Sequence, residues 1–184
     1  PSRHGRSDFE SAYGMLCMKL AFAFQDYQFL WMTIAISDDD KGIFKRILGR
    51  TASMDETKSC FLLLTRMLEI HFKKSAVVIL DEYDVPIAKA SSNGYYSQML
   101  DVMRAMMSTT LKDNTSLDFA VVTGCLKIAK ESIFTGTNNF VSDTILSPRL
   151  SESFGFTQAD VDQMLKDAGL ESQSAEIKTW YDGY

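Results

Sequence analysis

Two short runs constrain this chain more than anything else in it. Residues 76–80 read AVVIL and residues 117–124 read LDFAVVTG. The first is apolar at every position and rich in β-branched side chains. It is too short for a helix and does not alternate with polar residues, so it predicts a strand buried on both faces, as in a parallel sheet. The second predicts another such strand. The first run ends on Asp81-Glu82-Tyr83-Asp84 and the second on Thr123-Gly124. Carboxylates repel one another and resist burial, so three of them closing a core segment require an explanation.

Helical patterns surround the two runs. Residues 8–30 carry Phe9, Tyr13, Leu16 and Leu20 at helical spacing, with Asp8 as the expected cap. Residues 38–48 follow Ser37 and open with three aspartates, which suit a helix N-terminus. Ile43, Phe44, Ile47 and Leu48 follow, and Gly49 is expected to end the helix. Residues 54–72 form the clearest helix, opened by a capping box on Ser53 and Glu56, with Phe61, Leu64, Met67, Leu68 and His71 along one face. Tyr96, Met99, Leu100, Met103 and Met107 mark another, whose methionine stripe reads as core packing. Residues 140–146, FVSDTIL, are a candidate third strand. A capped helix is expected from Thr157, and a last one ends in WYDGY.

Strands alternating with helices predict an α/β sheet, whose ligands sit at the carboxyl ends of the strands. Asp81-Glu82 and Thr123-Gly124 should therefore meet on one edge. Composition narrows the function classes further. The 184 residues are 46% apolar and 23% charged, enough for a sizeable core, and carry a net charge of −5. An acidic chain gains nothing from counterion release, which argues against non-specific nucleic-acid binding by this segment. Cys17, Cys60 and Cys125 lie far apart, and His4 and His71 are the two histidines. A disulfide framework and a zinc site are both poor readings, and a reducing cytoplasm fits. The apolar region from Met15 to Ile36 is broken by Lys19, Asp26 and Gln28, so it falls short of the ~20 apolar residues of a membrane span.

An apolar strand ending in Asp-Glu matches the Walker B pattern of P-loop nucleotide hydrolases. Mg²⁺ prefers hard oxygen ligands and retains waters, so Asp81 would hold it directly or through water. Glu82 would orient or polarise the attacking water. Thr123, on the neighbouring tip, would sense a phosphate or that water. The plain alternative is that a strand has to end in polar residues. Asp84, before Val85-Pro86, reads as a turn or helix-cap residue.

Six strings then carry a family resemblance: VVILDEYDVPIAKA, NGYY, LKDN, FAVVTGCLKIAKESIFTGTNNF, FGFTQADV and WYDGY. Their order and spacing resemble the bacterial AAA-ATPase-like domain family, over most of the chain from about Phe9 to Tyr184. Its members usually join an AAA-type nucleoside triphosphatase to a C-terminal PD-(D/E)XK nuclease-like domain. The resemblance implies a three-layer P-loop NTPase core of the additional-strand class over residues 1–150 and the start of a helical lid over 151–184. It implies ATP and Mg²⁺ as ligands, Asp81 and Glu82 as the Walker B pair, and Thr123 as the sensor. After the sensor strand the family usually reads Gly-x-Leu-Arg-Ile. Here Lys127 replaces that arginine, keeping the charge and losing the bidentate fork.

A phosphate-cradling loop needs G-x-x-x-x-G-K-[ST], and none of the ten glycines precedes a lysine. His4-Gly5-Arg6-Ser7 is a decoy without an upstream glycine or strand. By the resemblance, Phe9–Leu30 matches a family helix that follows the P-loop, and WYDGY continues into further sequence. The chain is therefore expected to begin inside the domain, to lack its phosphate-binding half, and to self-associate through bare strand edges. Nucleic acid would be reached only through a partner nuclease-like domain. Three functions remain open: an ATPase, a slow nucleotide switch for that domain, or an inactive gene fragment. Arg104 is a candidate arginine finger reaching a neighbouring subunit, and Arg149, near the lid junction, a candidate sensor, each with a solvated-surface alternative. Lys89, Lys127 and Lys130 read as surface, Asn138-Asn139 as turn, His71 as packing, and the aromatics of WYDGY as lid packing.

Overall fold

The computed structural model describes residues 3–125, 141–144, 147–149 and 155–181, with side chains from Asp8 onward. The chain divides into two compact units, Pro1–Asn138 and Asn139–Tyr184.

The first unit is a helical layer under a small sheet. Helix α1 spans Arg3–Gln25 and a 3₁₀ turn spans Gln28–Met32. Asp8 is thus inside the helix rather than capping it. The expected 8–30 helix also breaks after Gln25: Tyr27 N–H donates to Phe24 O at 3.0 Å, and Leu30 N–H to Tyr27 O at 3.0 Å. That tightening accompanies the complete burial of Leu30 beside Phe24. Helix α2, Asp38–Leu48, is capped as expected, with Asp40 N–H donating to Ser37 Oγ at 3.1 Å. It ends at Gly49, but Arg50, not the glycine, takes the left-handed conformation, with φ +57°. Phe44 seats this helix against Phe24, ring centroids 4.9 Å apart.

The predicted 54–72 helix is two helices, α3 (Met54–Lys58) and α4 (Cys60–Phe72). Its capping box is present: Glu56 N–H donates to Ser53 Oγ, and Ser53 N–H returns to Glu56 Oε2 at 2.9 Å. The break at Ser59 has a tertiary partner invisible to local pattern, since Thr109 Oγ1 donates to Lys58 O at 2.9 Å. His71 ends α4 exposed. Its Nδ1 lies 2.5 Å from Thr33 Oγ1, and its ring sits 5.2 Å from that of Phe29.

Strand β1 is Ala76–Leu80 and β2 is Leu117–Val122. They pair in parallel, with Val77 opposite Phe119 and Leu80 opposite Val122. Helices α5 (Val85–Ser92) and α6 (Tyr96–Leu111) form the crossover between them. The methionine stripe of α6 is core: Met99, Met103, Met106 and Met107 are all buried. The mixed α/β character holds, but burial of both strand faces does not. Leu80 packs against the helical core, while Val77, Ile79, Phe119 and Val121 are 46%, 71%, 53% and 44% exposed. Side chains alternate across a strand, and among the described residues these four share a face that no helix covers.

In the second unit, α7 spans Gln158–Ala168 and α8 spans Ser174–Tyr181. The helix is capped at Thr157 as expected, through a capping box with Asp160, and Gly169 closes α7 at φ +69°. Residues 141–144 are not a strand. Ser147 N–H donates to Thr144 O at 2.8 Å; the rest of the candidate third strand lies outside the described residues. Trp180 and Tyr181 are each 77% exposed, which overturns their reading as packing. Among the described residues no helix is long and apolar enough to cross a membrane.

Two predictions follow from this packing. The open sheet face should make the chain self-associate as concentration rises in sedimentation velocity, and Ile79→Lys should shift it toward monomer; a monodisperse wild-type monomer would contradict this. The second concerns Glu56, which also pairs with Arg46, Nε to Oε1 at 3.0 Å. Arg46, then the Ser53 backbone N–H, hold the Glu56 carboxyl at about 2 against an ordinary 4.5. A carboxylate depressed on folding stabilises above its unfolded pKa and loses that contribution as pH falls through the folded value. Acid unfolding followed by circular dichroism should therefore lose stability between pH 4.5 and about 2, and Glu56→Gln should flatten that arm.

Candidate functional site at the strand tips

The parallel ladder continues past the ends of both strands, with one residue inserted. Thr123 N–H donates to Leu80 O at 2.9 Å, and Thr123 O accepts from Tyr83 N–H at 3.2 Å. A regular parallel ladder would use the N–H of residue 82 at that point. Instead Glu82 is turned out with φ +53°, a left-handed conformation that non-glycine residues seldom adopt. Its N–H donates to the Asp81 carboxylate at 2.9 Å. Bulges of this kind re-aim side chains and are common beside active sites.

The insertion brings the sequence candidates together. Asp81 Oδ1 also accepts a hydrogen bond from Thr123 Oγ1, so the two strand tips are joined through side chains as well as backbone. Asp81, Glu82 and Thr123 are all exposed. The edge thus presents a carboxylate carrying a hydroxyl partner, with a second carboxylate displaced from the ladder. Among the described residues no three His, Cys, Asp or Glu side chains gather as a metal cage. One exposed carboxylate with a neighbouring hydroxyl does fit Mg²⁺, which uses one or two protein oxygens and completes its shell with water and phosphate.

Asp84 departs from its expected role. It precedes α5, but its side chain makes no capping hydrogen bond. It is 3% exposed, and its Oδ1 lies 2.6 Å from where a Cβ on Gly124 would stand. The Tyr83 ring lies 2.8 Å from the same point. Gly124 therefore serves close approach, with φ outside the left-handed range. Burial, and then the Asp84 carboxylate, raises the Tyr83 phenol above its ordinary pKa. Local sequence pattern missed this contact; Gly directly after the tip threonine was its one visible sign.

The remaining candidates lie elsewhere. Arg104 Nη1 donates to Asp101 Oδ1 at 3.3 Å on the solvent side of α6. In the second unit Arg149 Nε donates to Asp143 Oδ2 at 3.1 Å. Residues 4–7 lie within α1, so no loop between strand and helix exists there. Lys89 is exposed. Lys127, Lys130, Asn138, Asn139 and Asp182 lie outside the described residues.

The chain is similar over 143 residues, at 29% identity, to the uncharacterized protein in the vnfD 5′ region of Azotobacter chroococcum mcd 1. That match covers 77% of this chain and 28% of the relative, so the chain spans well under half the relative's length. No solved structure matches. A family model described as predicted AAA-ATPase matches residues 8–134, a stretch that contains both strands and the whole Asp81–Thr123 edge. The chain belongs to this AAA-ATPase-like family.

Proposed function

We propose that the chain is the Walker B and sensor part of a nucleoside triphosphatase domain that binds Mg-ATP and hydrolyses it. The single observation that carries this reading is the Asp81–Thr123 hydrogen bond across two parallel strand tips, beside a Glu82 turned out of the ladder. The proposal includes a three-layer P-loop core over residues 1–150 and a helical lid opening at 151, although the compact units divide between Asn138 and Asn139. The uncovered apolar sheet face supports a larger sheet with a further layer, because parallel sheets occur almost only with both faces covered. The phosphate-cradling loop, which these 184 residues do not carry, is supplied from outside them. Three free thiols fit a reducing cytoplasm. A nuclease-like domain as the partner that responds to hydrolysis belongs to the same proposal.

Asp81 holds the ion through its outer oxygen, while its inner oxygen stays on Thr123 and the Glu82 N–H. Magnesium, which Asp81 would hold, would supply positive charge against the charge that develops on phosphate. Glu82 lies free of the ladder, orients the attacking water and accepts its proton. Thr123 is fixed at both its N–H and its carbonyl, so its hydroxyl reports phosphate occupancy to Asp81 and to Tyr83. Lys127, three residues beyond Gly124, contributes one positive charge toward phosphate.

Glu82→Gln in the full-length protein carrying this domain should lower the turnover of ATP by about 100-fold or more, the range for loss of a general base. Binding of Mg-ATP should persist, as measured by fluorescent nucleotide titration. Unchanged turnover would remove Glu82 from the chemistry and favour a nucleotide switch. Asp81→Asn should weaken binding of Mg-ATP more than that of metal-free ATP.

A further inference from the structure

The geometry points to Asp84 as a positioning residue that holds the sensor tip in register through Gly124; this assignment rests on the nucleotide-site reading above. A carboxylate resists burial, yet Asp84 is 3% exposed while Asp81 and Glu82, three and two residues earlier, face solvent. Its backbone carbonyl accepts from the N–H groups of Ile87 and Ala88, at 3.0 and 2.9 Å, and so starts α5. The side chain is not needed for that start, because it makes no cap bond. It is directed instead at the backbone of Gly124, where no Cβ fits: one would meet Asp84 Oδ1 at 2.6 Å and Tyr83 Cε1 at 2.8 Å.

The consequence lies one residue upstream. Thr123 is pinned by Leu80 O on one side and Tyr83 N–H on the other. Gly124 is the next joint in the chain, and glycine is the residue most able to rotate there. Asp84 and Tyr83 close on that joint and fix the direction in which the chain leaves Thr123. The Thr123 hydroxyl then stays on Asp81, and Glu82 stays in its left-handed conformation, which persists only when its surroundings over-determine it. Asp84 thus acts on Thr123 and Glu82 by occupying space, without touching nucleotide.

The test is steady-state ATP hydrolysis by the full-length protein carrying this domain, with rates expressed per folded molecule. Asp84→Ala should lower kcat by about 10- to 100-fold, the scale expected for misplacement of a reacting group, and leave KM for Mg-ATP near wild type. Gly124→Ala approaches the same contact from the other side and should give the same split between kcat and KM. The double variant should lose less than the product of the two single losses, because removing the Asp84 carboxylate vacates part of the space that the new Cβ needs. If Asp84→Ala does not fold, the kcat and KM of Gly124→Ala decide alone. Losses that multiply, or a lower melting temperature with kcat per folded molecule unchanged, would overturn the proposal. Glu82→Gln in the same assay separates the two levels. If it keeps full turnover, the nucleotide-site reading fails and this one with it. If it loses turnover while Asp84→Ala and Gly124→Ala do not, only the positioning role falls.

Discussion

The pairing of Thr123 with both Leu80 and Tyr83 is the constraint on which the edge of this molecule depends. Two backbone hydrogen bonds fix the residue just past β2 against Leu80, the last of β1, and Tyr83 beyond it, three residues apart. A regular ladder would span only two. The extra residue has to go somewhere, and the chain places it at Glu82 with φ +53°. That displacement frees the Glu82 side chain from the pleat and turns its N–H onto Asp81. Asp81 then has one oxygen engaged by both Glu82 and Thr123, and its remaining oxygen is left for solvent or an ion. The three carboxylates that crowd the sequence are thereby sorted: one outward, one tied across the strands, one buried.

Rigid support for the edge comes from below. Leu80 and Tyr83 pack against the helical core, whereas Asp81 and Glu82 between them do not. The exposed residues are therefore held on both flanks by buried ones. The core itself is α1, α2, α4 and α6, seated by Phe24, Phe44 and the α6 methionines. Methionine fills irregular gaps where helices cross at several angles. Here it lets a single helix, α6, serve both the helical layer and the underside of β2.

The two strands, their parallel relation and the meeting of Asp81 with Thr123 were legible, because β-branched apolar runs of this length admit few structures. The capping box at Ser53 and the cap at Thr157 were legible because their signals lie within four residues. What was not legible came from long-range contacts. The split at Ser59 coincides with Thr109, fifty-one residues from the Lys58 carbonyl it serves. Asp84 does stand at the N-cap of α5, as local pattern suggested, but its side chain makes no cap bond and lies against Gly124, forty positions away. Burial of both strand faces was wrong for another reason. An all-apolar run reports what a strand is suited to, and two strands with helices on one side leave Val77, Ile79, Phe119 and Val121 open.

That open face and the polar edge have one physical origin. A parallel strand presents alternate side chains to opposite sides, and its carboxyl end presents whatever follows to ligand. Val77 and Ile79 are as apolar as Val78 and Leu80, so the sequence of β1 is suited to a neighbour on each face, although only one is present among the described residues. The same imbalance appears at the tip. Among the described residues the tip carries the oxygens of Asp81, Glu82 and Thr123, which the proposal assigns to an ion and a water, and the chain's net charge is −5. A triphosphate needs backbone N–H groups and a cation to cradle it. The uncovered sheet face leaves Val77, Ile79, Phe119 and Val121 open to a further layer, as the proposed larger sheet requires.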